Sequence, residues 1–382
     1  MATLEQEYTG NANSIDDIAD KIYAGERLTL EDGLRLFNYH NLPELGTLAD
    51  YVREKLHPDT NDTVTYIVGR NINYTNVCWV RCKFCAFYRT PGHNEGYTLS
   101  KDQIFEKVQQ MVDVGGIEIL LQGGLNPKLK IEWYEDLLSS IKQKFGHYGI
   151  ILHAFSPAEL IYIANISKLT LPEMFARLKA AGLDSVPGGG AEILTDRVRQ
   201  EISPYKDTAE EWLNCMREAH HAGLKTTVTM MYGSADTLED RMEHLIKTRD
   251  LQDETGGFTA FIPWSFQPDG TELDYERASS FDYLRTVAVS RLILDNIPHI
   301  QASWVTQGPK VAQIGLRYGL NDFGSTMMEE NVVSSAGCAF TMPLEEIERL
   351  ISEAGYNPMR RTTQYNFLPD GVPQGSPLLA SK

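Results

Sequence analysis

Cys78, Cys82 and Cys85 place three of the chain's five cysteines within eight residues, spaced Cys-x3-Cys-x2-Cys. Three thiolates with no fourth nearby can hold three irons of a cubane iron–sulfur cluster and leave the fourth iron open to a substrate or cofactor. A closed electron-transfer cluster wants four cysteines. Structural zinc is the competing use of such a loop, but it takes four ligands and usually Cys-x2-Cys pairs. His93, eight residues beyond Cys85, would have to be the fourth. Cys215, beside Met216, reads as a small core residue, and Cys338 reads as incidental.

The elements around this loop follow one rhythm. Residues 1–60 form a helical extension: Ser14 caps a helix carrying Ile15, Ile18, Ala19 and Ile22, Thr29 with Asp32 opens a second, and a third over 45–56 stops before Pro58. From Val64 strands and helices alternate. Strands are expected near 64–73, 117–121, 150–155, 185–186, 226–231, 258–263, 300–305 and 323–328. Capping boxes at Ser100/Gln103 and Thr208/Glu211, and Thr170 with Glu173, open helices between them. A helix is also expected over 191–201, and Pro309 and Pro343 open the last two. Eight such units over about 61–357 predict an α/β fold, a (β/α)8 TIM-type barrel, with a doubly wound open sheet as the rival. Residues 358–382 read as a wrap-around strand and a loose end.

In a barrel, chemistry sits where strands run out into loops at their C-terminal ends. The cysteine loop follows the first strand and so lies on that face. Gln122, Gly123 and Gly124, the stretch from His153 through Ser156 to Glu159, and Glu192 join it there. So do Trp264, Phe266 and Gln267, then Trp304 and Thr306, and finally Glu329. Gly188-Gly189-Gly190 before a helix could cradle a phosphate; it lacks the fuller nucleotide motifs, and a tight turn explains it equally well. The aromatic residues serve either as core or as walls of a site.

Bulk properties exclude several partners. A net charge of −17 and a pI near 5.0 argue against nucleic acid, which needs a basic face. No apolar run approaches the length of a membrane helix, so no membrane insertion is expected. The N-terminus carries no secretory pattern, and five cysteines make no disulfide framework. A reducing, cytoplasmic setting follows.

The triplet, with Phe84 before its last cysteine, resembles the signature of the radical S-adenosylmethionine (SAM) superfamily. That resemblance implies a [4Fe-4S] cluster on Cys78, Cys82 and Cys85, with SAM chelating the unique iron. Phe84, Gln122, Gly123, Gly124, Ser156 and Glu192 are then the expected SAM contacts; Gln122-Gly123-Gly124 stands where the superfamily has Gly-Gly-Glu. Residues 76–89, 121–133, 153–157 and 187–196 are similar to the family of menaquinone- and deazaflavin-pathway radical enzymes, as are 258–268, 302–308 and 322–331. This implies a small-molecule, nucleoside-derived substrate whose ribose yields a hydrogen to a 5′-deoxyadenosyl radical before the carbon radical attacks a carboxyphenyl ring. The expected substrate contacts are His153, Arg197, Trp264, Phe266, Gln267, Trp304, Thr306 and Glu329. Arg89, Arg197 and Lys310 are cations for the carboxylate, and Glu192, His153, Glu159 and Glu329 are available bases, with none singled out as catalytic. A low-potential electron donor such as flavodoxin or ferredoxin is implied. A non-catalytic metal-binding or electron-carrier protein is the reading from another class.

Overall fold

The computed structural model describes residues 14–338, 340 and 342–368. The expectations for residues 1–7 and for the tail beyond 368 lie outside them. The strands are β1 (Thr63–Ile67), β2 (Gly69–Asn73), β3 (Glu118–Gln122), β4 (Ile151–Ala154), β5 (Ser185–Val186), β6 (Lys225–Tyr232), β7 (Phe258–Ser265), β8 (His299–Ile300), β9 (Asp322–Ser325) and β10 (Asn357–Arg360). β2 to β8 pair in parallel in sequence order. β1 continues into β2 with only Val68 between, and pairs in parallel with β9. β9 in turn meets β8 through the Gln301–Asp322 bridge, with Ala302 N–H donating to the Asp322 carbonyl at 2.8 Å. The ladder therefore runs through eight positions and closes into a barrel, with β10 as an additional strand against β1.

Helices cover the outside, so the strands are largely buried on both faces, with Ile119, Leu121, Leu152 and Val228 wholly enclosed. Capping boxes start the helices Lys101–Asp113, Leu171–Ala181, Ala209–His221 and Leu238–Thr255, each with a Ser or Thr hydroxyl accepting from the N3 amide. The three N-terminal helices pack on the outer layer, chiefly on Leu238–Thr255 and Ser280–Ile293. Gly33 is the contact that permits this: a Cβ there would stand 2.3 Å from the Met242 methyl.

Three local expectations need correcting. Residues 157–167 form a helix, capped by Ser156 and Glu159, where the sequence suggests a rim loop. Its faces are packed by neighbouring helices, so it shows no amphipathic stripe to read. The helix expected over 191–201 starts only at Asp196, because Glu192 adopts φ 42°, in the left-handed region. The strand expected over 300–305 ends at Ile300, and Trp304–Gln307 is a helical turn. The wrap-around strand expected at the C-terminal segment is present: β10 pairs with β1, and residues 361–365 then enter the N-terminal end of the barrel.

Candidate active site

The cysteine loop leaves β2 and is tied at its base by Cys78 N–H to the Arg89 carbonyl at 2.9 Å and Arg89 N–H to the Asn76 carbonyl at 2.8 Å. Arg89 donates to the carbonyls of Ala86, Phe87 and Tyr88 and pairs with Glu95, so it fastens the loop. Inside the loop Cys85 N–H donates to the Cys82 carbonyl, and Arg81 takes φ 56°. All three thiols are free, and burial raises the pKa of each, so binding a metal as thiolates would release protons. Among the described residues no three His, Cys, Asp or Glu side chains converge on one point suited to a single metal ion. A cubane needs no such point, since each thiolate takes its own iron.

The rim beside the loop is shaped by close backbone approach. A Cβ on Gly124 would lie 2.4 Å from the Val77 carbonyl oxygen and 2.9 Å from Cys78 Cβ, and one on Gly123 would strike the Tyr74 ring. Glu159 is buried beneath this turn, accepting from Tyr74 Oη at 2.6 Å, Gly123 N–H at 2.9 Å and Ser156 N–H at 2.8 Å. Burial pushes its pKa up to about 7 against the pull of these donors. The Ser156 hydroxyl is engaged by the same carboxylate, so both residues hold the rim in shape. Among the described residues, four of the six non-glycine residues in the left-handed region, Arg81, Phe155, Glu192 and Met327, stand on this rim, where backbone strain gathers at functional sites.

Glu192 is ion-paired at 2.5 Å to Lys206, which also donates to the Gly190 carbonyl, and both side chains are almost wholly buried. Lys206 Nζ lies 5.7 Å from the centre of the Phe84 ring. Lys206 favours the Cys82 thiolate and Glu192 opposes it, which places this pair beside the cysteines. Lys206 escapes sequence reading because its partner is set by the fold and no motif surrounds it.

Behind the rim lies a chamber of about 200 Å³ inside the barrel. Gln122 and His153 line it, with Gly188 and Gly189 between them and Ile262 and Met327 on the far wall. His153 Nδ1 pairs with Ser185 Oγ at 2.7 Å, and burial lowers its pKa to about 3, so the ring is neutral. Trp264 is half-buried and shares the inward parity of Ile262 on β7.

Other expected substrate contacts are placed elsewhere. Arg197 is on the outer surface, bound to Asp240 and the Ala235 carbonyl. Phe266 is core, edge-on to Tyr275, and Trp304 is buried with its indole N–H donating to the Ser325 carbonyl. Gln267 is held by Ser265 and Cys338, and Thr306 by Ser303. Glu329 is locked by Arg70 and Lys107; burial disfavours its charge, but these partners outweigh it and lower its pKa. A carboxylate so paired makes a poor base. Lys310 is exposed. Glu118, Thr363 and Tyr365, which line the chamber, carry no mark in the sequence because nothing local distinguishes them.

A three-cysteine loop over the mouth of a closed barrel is the geometry the spacing anticipated, and the comparisons bear on what class of enzyme it marks. Residues 72–247 match the radical SAM superfamily and residues 255–373 the CofH/MqnC C-terminal region. The chain is 48% identical to a cyclic dehypoxanthine futalosine synthase of Halalkalibacterium halodurans over 93% of its length and 95% of the relative's. It is 41% identical to an aminodeoxyfutalosine synthase of Thermus thermophilus, covering 91% and 94% of the two chains. A crystal structure of methylornithine synthase shares the fold, with a TM-score of 0.70 at 18% identity over 90% of this chain and 97% of that one. The chain belongs to the radical SAM superfamily, in the branch that carries the CofH/MqnC C-terminal region. Enzymes of this superfamily use a [4Fe-4S] cluster and SAM.

Proposed function

We propose that this chain cyclises dehypoxanthine futalosine in menaquinone biosynthesis. The near full-length match to the cyclic dehypoxanthine futalosine synthase carries the reading. Cys78, Cys82 and Cys85 hold the cluster, and Phe84, Gln122, Gly123, Gly124 and Glu192 face SAM. When bound, this pair supplies a 5′-deoxyadenosyl radical. The chain itself must hold the substrate ribose inside the lumen with one carbon turned toward the rim, keep its arene against that carbon, and exclude water. The barrel interior suits these demands, since Ile67, Leu120, Ile262 and Met327 give it apolar walls while His153 presents a neutral ring. Electrons come from a low-potential carrier such as flavodoxin or ferredoxin, in the cytoplasm. Among the described residues no helix is long and apolar enough to cross a membrane.

The test is anaerobic turnover of the reconstituted, reduced protein. Dehypoxanthine futalosine with SAM gives a cyclised product and 5′-deoxyadenosine. Cys78→Ala, Cys82→Ala and Cys85→Ala each abolish SAM cleavage and lower the iron content. Turnover only with an enolpyruvyl-benzoate substrate would assign the sister synthase instead. Zinc without sulfide would return the chain to the non-catalytic metal-binding class.

A further inference from the structure

The chamber ends on a floor that the barrel strands do not make alone. After β10 the chain turns inward, and Arg361, Thr363 and Tyr365 close the N-terminal end of the lumen. Arg361 is held by Asp322, and Tyr365 stacks on His299 at 3.7 Å with the rings 6° apart. Thr363 Oγ1 donates at 2.5 Å to Glu118, the first residue of β3. Glu118, Leu120 and Gln122 share the inward face of β3, so the floor lies four residues down the strand from Gln122 and lines the same chamber as it.

Polar capacity is left unspent at this depth. Glu118 is 7% exposed, and among the described residues only Thr363 donates to its carboxylate. His153, also 7% exposed, has Nδ1 on Ser185 and no partner on Nε2 among the described residues. The Gln301 side chain lines the same space, also with no hydrogen-bond partner among the described residues. Buried polar groups are almost always paired, so acceptors and donors aimed into a cavity mark the place of a ligand's own polar groups. The floor does not suit an anion: Glu118 and Asp322 are carboxylates, and Arg361 already spends its charge on Asp322.

We propose that the floor is a hydroxyl-binding subsite, in which Glu118, oriented by Thr363 of the C-terminal segment, accepts hydrogen bonds from the sugar hydroxyls of the substrate, with His153 and Gln301 beside it. This rests on the nucleoside-derived substrate proposed above. It makes Glu118 a binding residue and Thr363 a positioning residue, and it puts the substrate's carboxylate elsewhere.

The experiment measures dissociation constants on the reconstituted enzyme with SAM bound and the cluster oxidised, so that no turnover occurs. The ligands are dehypoxanthine futalosine and analogues each lacking one ribose hydroxyl. Glu118→Gln and Glu118→Ala should weaken the parent ligand at least tenfold and Thr363→Val severalfold, with iron content and SAM affinity unchanged. One deoxy analogue should bind the wild type at least tenfold more weakly than the parent, yet bind Glu118→Ala as well as the parent does. If every deoxy analogue binds the wild type like the parent, or the Glu118 variants keep wild-type affinity, the subsite is overturned. A wild type that binds SAM but not dehypoxanthine futalosine would overturn the functional reading, and the ligand class with it.

Discussion

His153 shows how one side chain's setting decides its charge. Buried in the lumen and paired with Ser185, it titrates at about 3 rather than 6.5. Its folded pKa lies below the unfolded value, so the fold is favoured fully above pH 6.5 and loses that preference as pH falls toward 3. Between pH 7 and pH 5 the wild type should therefore lose about 2 kcal/mol relative to His153→Gln. Urea unfolding of both proteins at the two pH values measures this, and parallel losses would contradict it. Turnover between pH 6 and 8 should show no inflection from this ring.

At the scale of elements, glycines set how near the cysteine loop can come to β3. Gly124→Ala drives a methyl into the Val77 carbonyl, a backbone atom that cannot swing aside. It should cost about 1–3 kcal/mol of stability and lower the iron bound per chain, read by denaturation and iron analysis. Gly146→Ala is the control: nothing lies within 4 Å of its Cβ and its backbone is right-handed helical, so it should be neutral or stabilising. Elements of this kind are legible where the signal is local. The helix starts at Ser100, Thr170 and Thr208 follow from capping residues three apart, and the cysteine loop from its spacing. The 157–167 helix is not legible, because burial by neighbouring helices removes the periodicity that betrays a helix. Nor are Lys206 and Glu118: Thr363 meets Glu118 from 245 positions away, and no window of sequence contains both.

For the whole molecule, the Arg361–Asp322 pair joins the C-terminal segment to β9 inside the barrel, with side chains 4% and 0% exposed. Asp322 also accepts from Thr65 Oγ1 and Gly324 N–H, so its position serves three segments at once. Arg361→Ala leaves that carboxylate buried and uncompensated, and should cost about 3–5 kcal/mol. Replacing both partners by apolar residues of similar volume should cost less than the single change, which chemical denaturation of the two variants would decide. The barrel rhythm is readable from sequence, but its closure is not, since closure is a relation between the first strand and the last.

That relation also sets an order of events in synthesis. Asn357 meets Asp62 from 295 positions downstream. At roughly 5–20 residues per second, β1 waits roughly 15–60 s for the residues that complete its pairing. The cysteines are made early in that interval and the chamber floor at its end. A growing chain thus presents its cysteine loop to the cell well before it has an enclosed interior to protect it.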